Sequence, residues 1–366
     1  MRHTASFLLW VVIAASASAQ TTVTVRQFED FLLSRNAQRA SDAALAAQLA
    51  SIRLSQQLTD TALANLVSRL RLGPQSEEQI QLVAAASIFQ PPPPAETPSL
   101  SPPGASEQNR ILQAAREYAN TSAQRLPDFL AIRSTRSFDN APRRSDKKHH
   151  MEFSMHFVGA RRRQVTVRAG QEVPVSQPGS ATADSDHAAG MTTWGEFGPL
   201  LTTVLGDISA GSIAWSRWQN GALGVPLAVF HYSVPQSGSH DLIGLDDDIQ
   251  VLHDARASHS AWFRDHPAYH GDLYIDPETG AVLRITLDAE LAPDAPVLAS
   301  RLAVEYAPVE IGGKSWVCPV RGIAVSLVHN PEMEDLEGGS PERFVNIVSF
   351  TDYHKFGSTS TILANN

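Results

Sequence analysis

Residues 269–290, reading YHGDLYIDPETGAVLRITLDAE, admit few folds. A short apolar run from Gly271 to Ile275 is cut by Asp276-Pro277-Glu278-Thr279-Gly280, which carries the chemistry of a tight reversal. Proline presets φ at the first turn position, Asp276 can bond its own backbone, and Gly280 supplies the left-handed φ that closes a bulged loop. Beyond the turn, Leu283, Ile285 and Leu287 alternate with Arg284, Thr286 and Asp288. That is the period of a strand with one buried face and one wet face. The expectation is a β-hairpin at the centre of an antiparallel sheet, with the three apolar residues inward and the three polar ones outward.

Further strand patterns occupy 129–138, 151–158, 163–168, 213–218, 227–234, 301–311, 315–328 and 344–353, separated by turn signals such as Asn220-Gly221 and Gly312-Gly313. Pro319 inside one of them implies an edge or a bulge there. One helix, 195–205, interrupts the series. Upstream, residues 25–89 have helical periodicity, with Leu45, Leu49 and Ile52 predicted on one face and Thr59 or Asp60 as a cap. A later helix over 77–89 offers Ile80, Val83 and Ile88, and 107–125 is helical again. Between them, QPPPPAETPSLSPPGAS (90–106) can form neither helix nor interior strand, because proline removes donors and fixes φ. The predicted organisation is a signal peptide (1–19), an N-terminal helical region (20–89), a Pro-rich linker (90–106) and an antiparallel β-sheet domain (107–366). The fold class is α+β, a curved antiparallel sheet with helices on one face.

Residues 1–19 read as a cleavable secretory signal: Arg2 and His3, an apolar core from Phe7 to Ala15, and Ala17-Ser18-Ala19 before the cut. Periplasmic or secreted localisation follows, with no transmembrane segment, and with no cysteine after the signal to take a lipid anchor. Cys318, the single cysteine, reads as a small buried hydrophobe. A chain that is 43% hydrophobic and 18% charged can build a core without disulfides. The net charge of −9 argues against general nucleic-acid binding. Within it, residues 125–168 are locally basic and 241–278 locally acidic, the usual mark of solvated segments.

No cofactor and no catalytic site is expected. Gly-x-Ser-x-Gly, phosphate-loop and dinucleotide patterns are all missing from the sequence. His259, His266 and His270 invite zinc, but Pro267 breaks the helix that would align them. Asp246-Asp247-Asp248 with Asp241 lacks the alternating spacing and glycine of a calcium loop. Trp194, Trp215, Trp218, Trp262 and Trp316 serve either a ligand cavity or ordinary core.

Leu273-Tyr274-Ile275-Asp276-Pro277-Glu278-Thr279-Gly280, followed by Val282-Leu283-Arg284, resembles the signature hairpin of the LolA-like family of periplasmic lipoprotein carriers. Ile52-Arg53-Leu54-Ser55-Gln56-Gln57-Leu58-Thr59, Leu126-Pro127-Asp128-Phe129, Gly195-Glu196-Phe197-Gly198 and Tyr353-His354-Lys355-Phe356 resemble a family of exported bacterial proteins without an assigned function. The first resemblance implies a half-barrel closed by helices over an apolar cavity for acyl chains. On it rests the expectation of non-enzymatic binding of a lipid or acylated ligand in the cell envelope. Leu283, Ile285, Leu287, Trp215 and Trp218 are the candidate ligand-binding residues. The alternative is a protein–protein interaction module with a solid core, its partner another envelope protein.

Overall fold

The hairpin forms as its residues dictate. Asp276 N donates to Ala281 O and Gly280 N to Asp276 O, both at 2.9 Å. The Asp276 carboxylate accepts from Glu278 N at 2.9 Å and Thr279 Oγ1 at 2.7 Å. Gly280 closes the loop at φ 75°. A Cβ there would lie 2.6 Å from the carbonyl carbon and oxygen of Ala114, so glycine also lets the loop tip seat on a helix.

The computed structural model describes residues 21–144, 151–152, 154–168, 170–173, 190–193, 195–221, 224–246, 251–253, 261–336 and 339–355. The expected signal peptide lies outside them, as do His259, Asp247, Asp248 and Trp194. Helices are α1 (Val25–Ala37), α2 (Asp42–Leu49), α3 (Asp60–Ser68), α4 (Pro74–Ala86), α5 (Ala105–Arg125), α6 (Pro199–Asp207) and α7 (Pro331–Glu334). The first eight strands are β1 (Thr21–Val23), β2 (Ile52–Leu54), β3 (Phe129–Asp139), β4 (Arg143–Arg144), β5 (Met151–Glu152), β6 (His156–Arg168), β7 (Gln171–Val173) and β8 (Thr192–Thr193). Then come β9 (Ser212–Asn220), β10 (Pro226–Val234), β11 (Ile243–Leu245), β12 (Val251–His253), β13 (Phe263–Asp265), β14 (Ala268–Ile275), β15 (Val282–Glu290), β16 (Val297–Ile311), β17 (Lys314–Val328) and β18 (Glu342–Lys355).

Among the described residues, ten strands make one antiparallel sheet in the order β7-β6-β3-β18-β17-β16-β15-β14-β10-β9, an open sheet within an α+β fold. Four short strands form a second sheet, β13-β11-β12-β8. Pro319 sits where both expectations meet: register shifts beside it against β16, and pairing with β18 begins only at Arg321.

Helices cover both faces of the large sheet, where one face was expected. On the first, Ile285, Leu302, Val304 and Ala324 pack with Ile111 and Ala115 of α5 and with Leu201 and Val204 of α6. The small sheet adds Ile243 and Leu245 to this core. On the second face, Ala303 and Ile323 meet Ala85 and Ile88, while Phe138 and Val345 meet Leu82. The cause is α4, apolar on two sides: Ile80, Val83 and Ala84 face inward to a separate core with Phe28, Leu32 and Leu49. The predicted α2 stripe also ends early. Ile52 belongs to β2, which pairs in parallel with β1.

The second face explains why the hairpin's inside and outside are misassigned by alternation alone. A bulge places both Val282 and Leu283 opposite Ile275. Val282 joins Ile285 and Leu287 in the main core. Leu283 turns to the other side, half-buried with Leu227, Val229 and Tyr274. Arg284, Thr286 and Asp288 are not at a wet surface either. Arg284 stacks 4.8 Å from the Tyr274 ring and pairs with Glu305 at 2.7 Å, and Thr286 is buried. The N-terminal layer lies over them through Gln57, which accepts from Arg284 Nη1 at 3.2 Å and Gln219 Nε2 at 3.0 Å. Asp60 pairs with Arg321 at 3.0 Å. The proline stretch starts on this side, where Pro91 O accepts from Gln57 N at 2.8 Å, and reaches edge strand β9, where Ser101 O accepts from Trp218 Nε1 at 2.9 Å on the main-core side.

Candidate functional site

Where the N-terminal layer meets the sheet, its helices do not fill the seam. A cavity of about 290 Å³ remains, walled by Leu49, Ile52, Leu54, Leu82, Val83 and Phe89 from the layer and by Ala299, Val325, Leu327 and Val345 from the sheet. The walls are apolar because each contributing strand or helix presents its buried period here. Three arginines interrupt them: Arg53 of β2, Arg301 of β16 and Arg343 of β18.

Their surroundings differ. Arg301 lies over the Phe89 ring at 4.4 Å, with Nε 2.7 Å from Asp288 Oδ2, although its N–H is not directed at that oxygen. Burial raises the Asp288 carboxyl above its ordinary value, with Arg301 acting against it. The Arg53 and Arg343 guanidinium groups have no acidic partner among the described residues. Burial, then the charges of Arg53 and Arg301, lowers Arg343 to about 10. A guanidinium so perturbed is short of negative charge. Gln79 adds an unusual acceptor. Its Nε2 donates to Met155 O at 2.9 Å, while its buried Oε1 has no partner among the described residues. The site therefore offers an apolar hollow, two unpaired cations and one free carbonyl oxygen. Among the described residues that line it, none forms a nucleophile or acid–base pair.

The expected ligand residues lie elsewhere. Leu283, Ile285, Leu287, Trp215 and Trp218 do not line this cavity. Ile285 and Leu287 sit in the main core, where Trp215 and Trp218 pack edge-to-face, 5.0 Å apart. On that side a crevice of about 20 Å³ is lined by Tyr118, Glu196, Tyr306 and Val317, enough for roughly one water molecule. Trp262 is exposed and Trp316 half-buried.

Other clusters of charge are structural. Arg133, buried, contacts Thr193 Oγ1 at 2.8 Å and Glu196 at 3.4 Å, and Arg163 pairs with Glu172 at 3.0 Å. Burial, then Glu196, raises the Glu172 carboxyl. With Arg136 on Glu78 and Arg162 on Asp352, several of the arginines in the basic stretch are consumed by ion pairs on β3 and β6. His240 Nδ1 meets the buried Asp207 at 2.6 Å, which also accepts from Tyr269 OH at 2.8 Å. No hydroxyl nucleophile is bonded to His240 among the described residues. His266 bonds Asp241 O and His270 bonds Glu290, and no metal-holding group of three acidic, His or Cys side chains occurs among the described residues. Cys318 is buried, its thiol pushed up to about 12 by burial, so it is no nucleophile. Among the described residues no helix is long and apolar enough to cross a membrane.

The fold and the cavity thus define an α+β protein with a helical layer on each side of its sheet and an arginine-bearing hollow in one seam. In comparisons with known proteins, the chain matched no family model, no curated protein and no solved structure.

Proposed function

We propose that the chain binds a lipid or acylated ligand without chemical turnover, in the seam between the N-terminal layer and the sheet. One observation carries this reading: an apolar hollow of about 290 Å³ with two guanidinium groups left without an acidic partner among the described residues. It is roughly twice the ~150 Å³ of an engineered apolar cavity that accepts benzene, so a short acyl chain is a fitting occupant. The LolA-like hairpin at Leu273 to Arg284 supports the same class of ligand. In a LolA-like half-barrel the chain would lie in the concave face. Here α5 and α6 pack over the candidate residues Ile285 and Leu287, and we put the ligand on the opposite face of the sheet. The reading carries with it the export expected from residues 1–19, to the periplasm or beyond the cell.

Native mass spectrometry of the purified chain tests this, alongside Ala86→Trp, which fills the hollow from its exposed wall. The expected result is a co-purifying amphiphile on the wild type and none on the variant. A wild type that is always empty, and takes up no amphiphile offered after purification, removes the reading. The solid packing around Ile285 and Leu287 would then favour an interaction module for an envelope protein.

A further inference from the structure

The three arginines come from both sides of the seam. Arg53 belongs to the N-terminal layer, and Arg301 and Arg343 to the sheet. Of the three, only Arg301 has a carboxylate partner, Asp288, which does not line the cavity and also feels His270. Counting these groups, three positive charges stand against one negative charge, a local excess of two. A monoanionic head offers one charge to the two guanidiniums that lack a carboxylate, the partly buried Arg343 and the exposed Arg53, and the cost of leaving charge unmatched falls on Arg343. A phosphate monoester carries about −1.5 to −2 at pH 7 and offers oxygens that suit guanidinium forks. Gln79 Oε1 supplies an independent pointer. Its residue is only 9% exposed, lines the same cavity, and keeps an acceptor for which no donor exists among the described residues. A hydroxyl on or beside the phosphate meets that need.

We infer that the cavity takes a single-chain amphiphile with a phosphate monoester head, gripped by Arg53 from the N-terminal layer and by Arg301 and Arg343 from the sheet, so that occupancy clamps the two layers together. This rests on the ligand-binding reading above and adds the head group and its consequence. Without the anion, Arg53 of the N-terminal layer opposes Arg343 of the sheet across the seam, a repulsion that adds to burial in lowering Arg343. With it, one dianion neutralises cations that neither layer can neutralise alone. Ligand binding and layer docking are then two sides of one linkage, each strengthening the other.

The experiment uses the full chain, stripped of any bound amphiphile, with decyl phosphate, decanoate, decanol and inorganic phosphate as probes below their micellar concentrations. Calorimetry is expected to rank decyl phosphate at least tenfold tighter than decanoate, with decanol and inorganic phosphate weaker still. Arg343→Gln should abolish the preference between phosphate and carboxylate, and Arg343→Lys should keep most of it. Hydrogen exchange should slow over β2 and α4 when decyl phosphate binds. In the absence of any probe, exchange there should be slower in Arg343→Gln than in wild type, because the repulsion is gone. Should Arg343→Gln fail to fold, Arg53→Gln at the exposed end of the site carries the same comparisons.

Equal affinities for decyl phosphate and decanoate overturn the head-group assignment while leaving the binding reading intact. Tight binding with no change in exchange over β2 and α4 overturns the clamp. Faster exchange in ligand-free Arg343→Gln overturns it too. If no probe binds, the binding reading itself falls, and the inference with it.

Discussion

Replacing Gly280 with alanine separates two demands that the hairpin makes on one residue. The first is conformational. At φ 75° a side-chain-bearing residue loses roughly 1–2 kcal/mol. The second is steric. The new Cβ would stand 2.6 Å from the backbone of Ala114 on α5, and crowding a packed contact costs about 1–3 kcal/mol more. Gly280→Ala should therefore lose about 2–5 kcal/mol in total. Gly313, in the β16–β17 turn, provides the control. It has φ 76°, yet a Cβ there meets nothing within 4 Å. Gly313→Ala should lose only the first part, about 1–2 kcal/mol. Both variants restrict the unfolded chain equally, so that effect cancels between them. Urea unfolding reads the difference as a shift in midpoint at unchanged slope. Equal losses in the two variants would mean that the hairpin tip is not seated on α5, and that the central sheet and this helix are not locked as described.

Three further substitutions probe the layers. Ile285→Ala should lose about 2–5 kcal/mol from the main core, and Leu283→Ala less than about 2 kcal/mol because the bulge leaves it half-buried on the other side; equal losses in urea unfolding would refute the bulge. Asp42 accepts from Gln75 N at 3.0 Å and Ser76 N at 2.9 Å, capping α4 where Gly73 has no side chain to do so, and Asp42→Ala should cost about 1 kcal/mol at pH 7. Hydrogen bonds, led by that from Ser76 Oγ, lower the Asp42 carboxyl below its ordinary value. Its contribution is thus present above that ordinary value and lost as pH falls through the lowered one, so wild type and variant should converge in acid. A gap that stays constant down to low pH would show that the carboxylate is not the cap.

The hairpin was legible in the sequence because every constraint on it is local: a proline, an aspartate and a glycine within five residues, and a period of two after them. The long strands were legible for the same reason. What alternation does not encode is the partner of the polar face. Arg284, Thr286, Asp288 and Arg301 have the pattern of a wet surface, and a layer of helices laid over them changes neither spacing nor composition. The only local trace was in α4. Leu82 and Ala85, continued by Ile88 in the 3-10 turn that follows, are apolar on the side opposite Ile80, Val83 and Ala84, which is more than a helix covering one small core requires. Read that way, residues 74–88 announce a helix buried on two sides. The bulge beside Ile275 had no such trace, since either a regular or a bulged ladder suits the same residues.

The cavity was illegible for a stronger reason. Its walls come from residues 49–54, 79–90, 155, 299–301, 325–327 and 343–345, and no segment taken alone suggests a cavity. Its chemistry comes from arginines whose sequence neighbours give no hint of their shared position. An isolated arginine in a strand reads as solvated, and that reading fails only when a second layer removes the solvent. Removing it without adding carboxylates is unfavourable for the protein alone, because a guanidinium such as that of Arg343 then loses water while like-charged neighbours stand beside it. Elsewhere on the same face the cost is met within the chain: Arg284 and Arg321 share Glu305, and Arg321 also reaches Asp60. At the hollow it is not, among the described residues. That contrast, between sheet arginines matched acid for base and Arg343 left beside a cavity without a carboxylate among the described residues, is the reason for proposing an anionic ligand there.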